Sequence, residues 1–93
     1  MNLSMKNSGL IRGLIYPVQF DDDPRTGIDR VLQLVVGRRA LDASPEEYLA
    51  AIREALASND NLADLIPQDH PEEVIRVFLT ATGEAIEMKW GLH

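Results

Sequence analysis

The chain has 93 residues, 45% of them hydrophobic and 5% aromatic, with no cysteine and a formal net charge of −6. That length allows one domain with one modest core, burying on the order of 60–65% of its unfolded surface, and the composition is globular, not disordered. Without cysteine, disulfide scaffolds, thiolate metal sites and thiol nucleophiles are excluded, which fits a reducing cytoplasm.

Residues 1–7 read as a flexible, unpacked tail, with Met5 a second candidate start, and residues 8–93 as a single helical domain. The opening "MNLSMKNSGLIRGLIYPV" has one lysine and a short apolar stretch broken by Arg12 and Pro17. It has no secretory core, and no apolar run in the chain approaches the roughly 20 residues that span a bilayer. A soluble, cytoplasmic protein is expected, without a membrane partner. Leu10, Ile11, Leu14 and Ile15 form one or two helical turns that Pro17 ends.

In "RTGIDRVLQLVVGRRALD", Ile28, Val31, Leu32, Val35 and Val36 are spaced as a helix face, with Gly37 as the stop. The β-branched residues also permit a strand. Helix is preferred because Pro24 stands at the start and Asp29 lies in the first turn. "SPEEYLAAIREALAS" predicts a helix over 44–57 with a capping box: Ser44 at N-cap, Pro45 at N1 and Glu47 at N3. Tyr48, Leu49, Ile52, Ala55 and Leu56 then recur at helical spacing.

"DNLADLIPQ" predicts a short helical turn capped by Asp60, with Leu62, Leu65 and Ile66 inward, stopped by Pro67. "DHPEEVIRVFLTATGEAIEMKW" repeats the start signal, with Asp69 or His70 as cap and Pro71 at N1. Val74, Ile75, Phe78, Leu79, Thr82, Ala85 and Ile86 make its inward stripe, and Gly83 is a point where it frays or bends before an end near residue 88. With five aromatics in the whole chain, the core must be mostly aliphatic. The expected fold is all-α, a small compact bundle of about four helices, one of them short.

The contiguous Asp21, Asp22 and Asp23 raise the question of metal binding. A calcium loop alternates its oxygen ligands and closes with a glutamate at the twelfth position, whereas these side chains diverge and the twelfth residue from Asp21 is Leu32. Asp23 before Pro24 is a good N-cap; one aspartate suffices for that, which leaves two for a solvated acidic loop. His70 and Glu73 offer two ligands at i, i+3, too few to close a zinc site. Glu46–Glu47 and Glu72–Glu73 are adjacent pairs that point apart on a helix and have no cleft between them, unlike glycosidase acids. Ser44 serves as a cap, no G-x-S-x-G or phosphate loop is present, and the Asp-Ser-Leu tripeptide of acyl carriers is missing. No enzyme, cofactor or metal is expected.

The acids are unevenly placed: residues 1–41 hold six basic and four acidic groups, residues 42–93 three basic and eleven acidic. Such a surface repels nucleic acid and anionic membrane and attracts basic proteins; solubility alone would also account for it. The acids gather at helix entrances, Asp21–Asp23, Glu46 with Glu47, and Asp69 with Glu72 and Glu73, with Asp60 and Asp64 between the last two. Where neighbouring bundle ends bring these together, their fields add and speed capture of a cationic partner. Arg38 and Arg39 are candidates for a second surface or for internal charge partners.

The run "LIRGLIYPVQFDDDPRTGIDRVLQLVVGRRAL", followed by "SPEEYLAAIREALASNDNLADLIP" and "PEEVIRVFLTATGEAIE", resembles the small immunity proteins of bacterial contact-dependent growth inhibition systems. The likeness covers about residues 10–87. It implies a cytoplasmic protein that binds the C-terminal toxin domain of a CdiA-type effector, often a nuclease, and blocks its active site or substrate access. No toxin-binding residue set transfers with it, so Asp21, Asp22, Asp23, Glu46, Glu47, Asp60, Asp64, Asp69, Glu72 and Glu73 are taken as the partner-binding candidates on charge alone. A monomer is expected. The alternative is an acidic helical interaction or regulatory domain unrelated to toxins.

Overall fold

Serine side chains set where two of the helices of this chain begin. The computed structural model describes residues 3–37 and 43–92. Helix α1 spans Met5–Ile15, α2 Ile28–Gly37, α3 Pro45–Ala57 and α4 Glu72–Trp90, with 3₁₀ turns at Tyr16–Val18, Pro24–Gly27 and Leu62–Asp64 and no strand among the described residues. The chain is all-α, and the β-branched stretch 28–36 is helical.

The α3 capping box forms in full. Ser44 Oγ accepts from the Glu47 amide at 3.2 Å while Glu47 Oε1 accepts from the Ser44 amide at 3.0 Å, so two otherwise orphaned donors are satisfied. Asp23 caps as expected, its Oδ1 accepting from the Arg25 amide at 3.0 Å. What it starts is the 3₁₀ turn Pro24–Gly27, and α2 follows only at Ile28.

Four boundaries differ from expectation. The tail ascribed to residues 1–7 is packed from Leu3 onward. Ser4 Oγ caps α1 by accepting from the Asn7 amide, and the Leu3 and Ser4 amides donate to Asp60 Oδ2 and Glu54 Oε1 at 2.8 and 2.6 Å. Partners some fifty residues away in sequence hold this segment, so α1 has three turns where one or two were expected. The turn at Leu62–Asp64 begins at Asn61 and not at Asp60, whose carboxylate is engaged by Leu3. Neither Asp69 nor His70 caps α4; Pro71 is the extended N-cap residue, and its carbonyl oxygen accepts from the Val74 and Ile75 amides.

Gly83 does not break α4. It is buried where α4 packs on α3, and a Cβ there would meet Ile52 Cγ2 at 3.4 Å, an ordinary van der Waals contact. The helix runs on to Trp90 and stops at Gly91, whose φ of 67° is the left-handed cap conformation that glycine adopts at least cost;.

Helix α3 packs against both α1 and α4, and α2 reaches the assembly through α4 and the Tyr16–Val18 turn. Their inward faces form one core that includes Ile11, Leu14, Ile15, Tyr48, Ile52, Phe78, Leu79 and Ile86, mostly aliphatic as composition requires. Each such side chain contributes about 1.5–3 kcal/mol on burial. Val36, assigned to the inner face of α2, is 56% exposed. The radius of gyration is 11.8 Å, close to the roughly 12 Å of a compact chain this long. Arg38 and Arg39 lie outside the described residues.

Candidate functional site

Each aspartate of the triplet has a different job. Asp21 Oδ2 accepts from the Arg30 guanidinium. Asp23 caps the turn and takes the Arg25 side chain through Nε at 3.3 Å and Nη2 at 3.1 Å. Hydrogen bonding to that guanidinium holds the Asp23 carboxyl below its usual value. Asp22 is exposed and makes no hydrogen bond or ion pair among the described residues. Local pairing thus relieves the repulsion of three adjacent charges and leaves the Asp22 carboxylate without a partner among the described residues.

The loop that holds them is packed tightly against Gly27. A Cβ at this buried position would fall 2.5 Å from Val18 Cγ1, 2.6 Å from Arg30 Nη2 and 2.8 Å from Asp21 Oδ2. The glycine lets the Asp21–Arg30 pair lie directly over the backbone.

The Pro24–Gly27 turn packs on α4. Asp22, Asp23, Pro24 and Arg25 from that side, with Glu73, Val74 and Val77 from the helix, line an open depression of about 460 Å³. Phe20 and Tyr16, 87% and 65% exposed, stand on the segment that leads into it. Two acidic entrances of the sequence, the triplet and Glu73, therefore meet at one place.

The remaining candidates are placed elsewhere or used by the fold. Arg76, near the start of α4, bonds the carbonyl oxygens that end α3, while Glu46 of α3 shares a depression with Leu92 beyond the end of α4. The two helices run antiparallel, so Glu46 and Glu47 stand at the end opposite Glu72 and Glu73, and these two clusters do not add. Glu47 is engaged by Ser44 and, at 3.1 Å, by Lys6; the Ser44 amide first and Lys6 second pull its pKa below the ordinary value. Asp60 holds Leu3, and Asp64 accepts from Asn61 Nδ2 at 2.6 Å. Burial disfavours the charged form of Glu72, but the Ala63 and Leu62 amides and Arg76 outweigh it and lower its pKa overall. Asp69 is exposed.

Two residues outside the candidate set organise this region. Glu54 accepts from the Ser4 amide and from Asn7 Nδ2, and that backbone bond leads the lowering of its pKa. Arg76 donates to Glu72 and to three backbone carbonyls. Sequence spacing relates Arg76 to Glu72 at i, i+4 but carries no trace of the carbonyls. His70 Nε2 is buried without a partner, and the Asp23 carboxylate is near enough to feel the ring electrostatically.

Among the described residues no group of three or more His, Asp or Glu side chains is placed to hold a metal ion, and no helix is long and apolar enough to cross a membrane. Comparison with family models, with curated proteins and with solved structures finds no match to this chain.

Proposed function

We propose that this chain is an immunity protein that binds and neutralises a basic toxin domain of a contact-dependent growth inhibition effector. The observation that carries this reading is the meeting of Asp22, Asp23 and Glu73 around one open depression with an apolar floor of Val74 and Val77. A surface of that kind suits a cationic protein with some apolar area, such as the phosphate-holding groove of a nuclease. The net charge of −6 adds long-range attraction;. On this reading the protein acts as a cytoplasmic monomer, performs no chemistry and works by occlusion, with no direct contact to nucleic acid.

The fold favours a rigid inhibitor. The Asp23 cap, the packing of the Pro24–Gly27 turn on α4 and the Arg76 bonds fix the acidic face before the partner arrives, which lowers the ordering cost of association;.

The test starts from the reading frame immediately upstream of this chain, where this reading expects a large secreted effector, and uses the C-terminal domain of that effector. Co-expression is expected to abolish its toxicity, and the purified pair to form a one-to-one complex that weakens with salt. A toxic domain that neither binds this protein nor is restrained by it overturns the assignment and leaves a helical interaction domain unrelated to toxins.

A further inference from the structure

The depression beside Asp22 continues along α4. Glu73, Val77, Ala81 and Glu84 follow one another at four, four and three residues, so they share one face of the helix;. At 1.5 Å per residue the two glutamates stand about 16 Å apart along the axis. Arg25 and Val77 also line a second depression, of about 330 Å³, that reaches Ala81 and Glu84. Because they share Arg25 and Val77, the two adjoin along α4 and are taken together as one channel, with the Pro24–Gly27 turn at one end.

Its charges are sorted. The guanidinium groups that reach it are neutralised in place, Arg25 by Asp23 and Arg76 by Glu72. Asp22, Glu73 and Glu84 are exposed and make no ion pair among the described residues. The centre is apolar, with Val77 50% exposed. Free carboxylates therefore close both ends of an apolar stretch three helical turns long.

We infer that this channel receives one α-helix of a basic protein partner. That helix lays small or aliphatic side chains over Val77 and Ala81, and sets a Lys or Arg against Glu73 and Asp22 at one end and against Glu84 at the other. Ridge-in-groove packing on α4 accounts for the length, and the free carboxylates account for the charge. A second copy of this chain is disfavoured, because a twofold contact would bring the same carboxylates against one another. The inference rests on the inhibitor reading and names its contact face.

Two probes separate the failure of one from the failure of the other. Calorimetry with the upstream-encoded toxin domain is expected to show Val77→Asp and Glu84→Lys each raising Kd about tenfold or more, with Glu46→Lys at the opposite end neutral and all three melting with wild-type cooperativity. A tight complex indifferent to Val77→Asp and Glu84→Lys overturns the channel and leaves the immunity function standing. The second probe is an alanine–leucine helical peptide with two lysines spaced to match Glu73 and Glu84. Amide shifts at Val77, Ala81 and Glu84 that vanish in high salt and in Glu84→Lys support the channel, whether or not the toxin domain binds. Absence of those shifts, or a wild-type dimer that Val77→Asp dissociates, overturns it.

Discussion

Arg76 Nη2 lies 3.1 Å from the Ser58 carbonyl oxygen and joins the start of α4 to the end of α3. The same guanidinium reaches the Leu56 and Asp60 carbonyls at 3.2 and 2.9 Å and Glu72 Oε2 at 2.8 Å. The last carbonyls of a helix have no partner within it, and here a side chain from the neighbouring helix supplies one. The site is partly buried, so water replaces these bonds incompletely. Arg76→Ala is expected to cost about 2–3 kcal/mol in urea unfolding. Arg76→Lys should recover less than half, because an ammonium cannot fork across several acceptors. An alanine variant with an unchanged midpoint would mean that water serves the carbonyls equally well.

Acid should unfold this protein through a few identified carboxylates. Glu54, Glu47, Glu72 and Asp23 all have pKa values below their ordinary ones, held down by backbone amides or cationic side chains. A depressed folded-state pKa means that the unfolded chain takes up protons first. The stabilisation is therefore complete above the unfolded value, about 4.3 for glutamate, and is lost as pH falls through the lower folded value. Stability is expected to be flat from pH 7 to about 5 and to decline below that. Glu54→Gln should flatten part of the decline, and denaturant titrations at a series of pH values measure it. Stability that stays flat well below pH 4 would mean that the fold does not hold these carboxylates in their charged form.

Gly27→Ala places a methyl group against Val18 and within the Asp21–Arg30 pair. The backbone at Gly27 is ordinary, so the penalty is steric and amounts to about 1–3 kcal/mol. Val18 and the Asp21–Arg30 pair have to shift to admit the methyl, and the neighbouring Asp22 is expected to be displaced with Asp21. Calorimetric melting should register the loss, and toxin-domain binding should weaken beyond what the stability change explains. Gly9→Ala is a fair control, since nothing approaches its Cβ position. An unaltered melting temperature for Gly27→Ala would mean that Val18 and Arg30 give way freely.

The sequence shows its local chemistry plainly. The Ser44–Glu47 box, the Asp23 cap and the inward stripe of α4 each depend on residues two to four apart, and each is legible in the sequence. Contacts across the bundle leave no such periodic mark. Nothing near Ser4 announces Glu54, and nothing near Arg76 announces Ser58. For this reason the sequence alone reads the N-terminus as loose, although Asp60 and Glu54 hold it. The acidic site was legible by composition only. Counting charges could not separate Asp22 and Glu73, which have no ion-pair partner among the described residues, from Glu47, Asp60 and Glu72, which the fold consumes.

That separation predicts unequal effects from equal charge changes. Asp22→Lys and Glu73→Lys each alter the net charge by two, as does Glu46→Lys, yet only the first two line the depression beneath Val77. Stopped-flow association with the basic toxin domain should slow about tenfold at low ionic strength for the Asp22/Glu73 double variant. The deficit should shrink as salt shortens the Debye length to about 3 Å at 1 M. Glu46→Lys should slow association only by its share of the global field, and Asp64→Asn, which removes a charge already bonded to Asn61, should do less still. If Glu46→Lys slows binding as much as Glu73→Lys does, the partner responds to total charge, and the α4 entrance has no privileged role in capture.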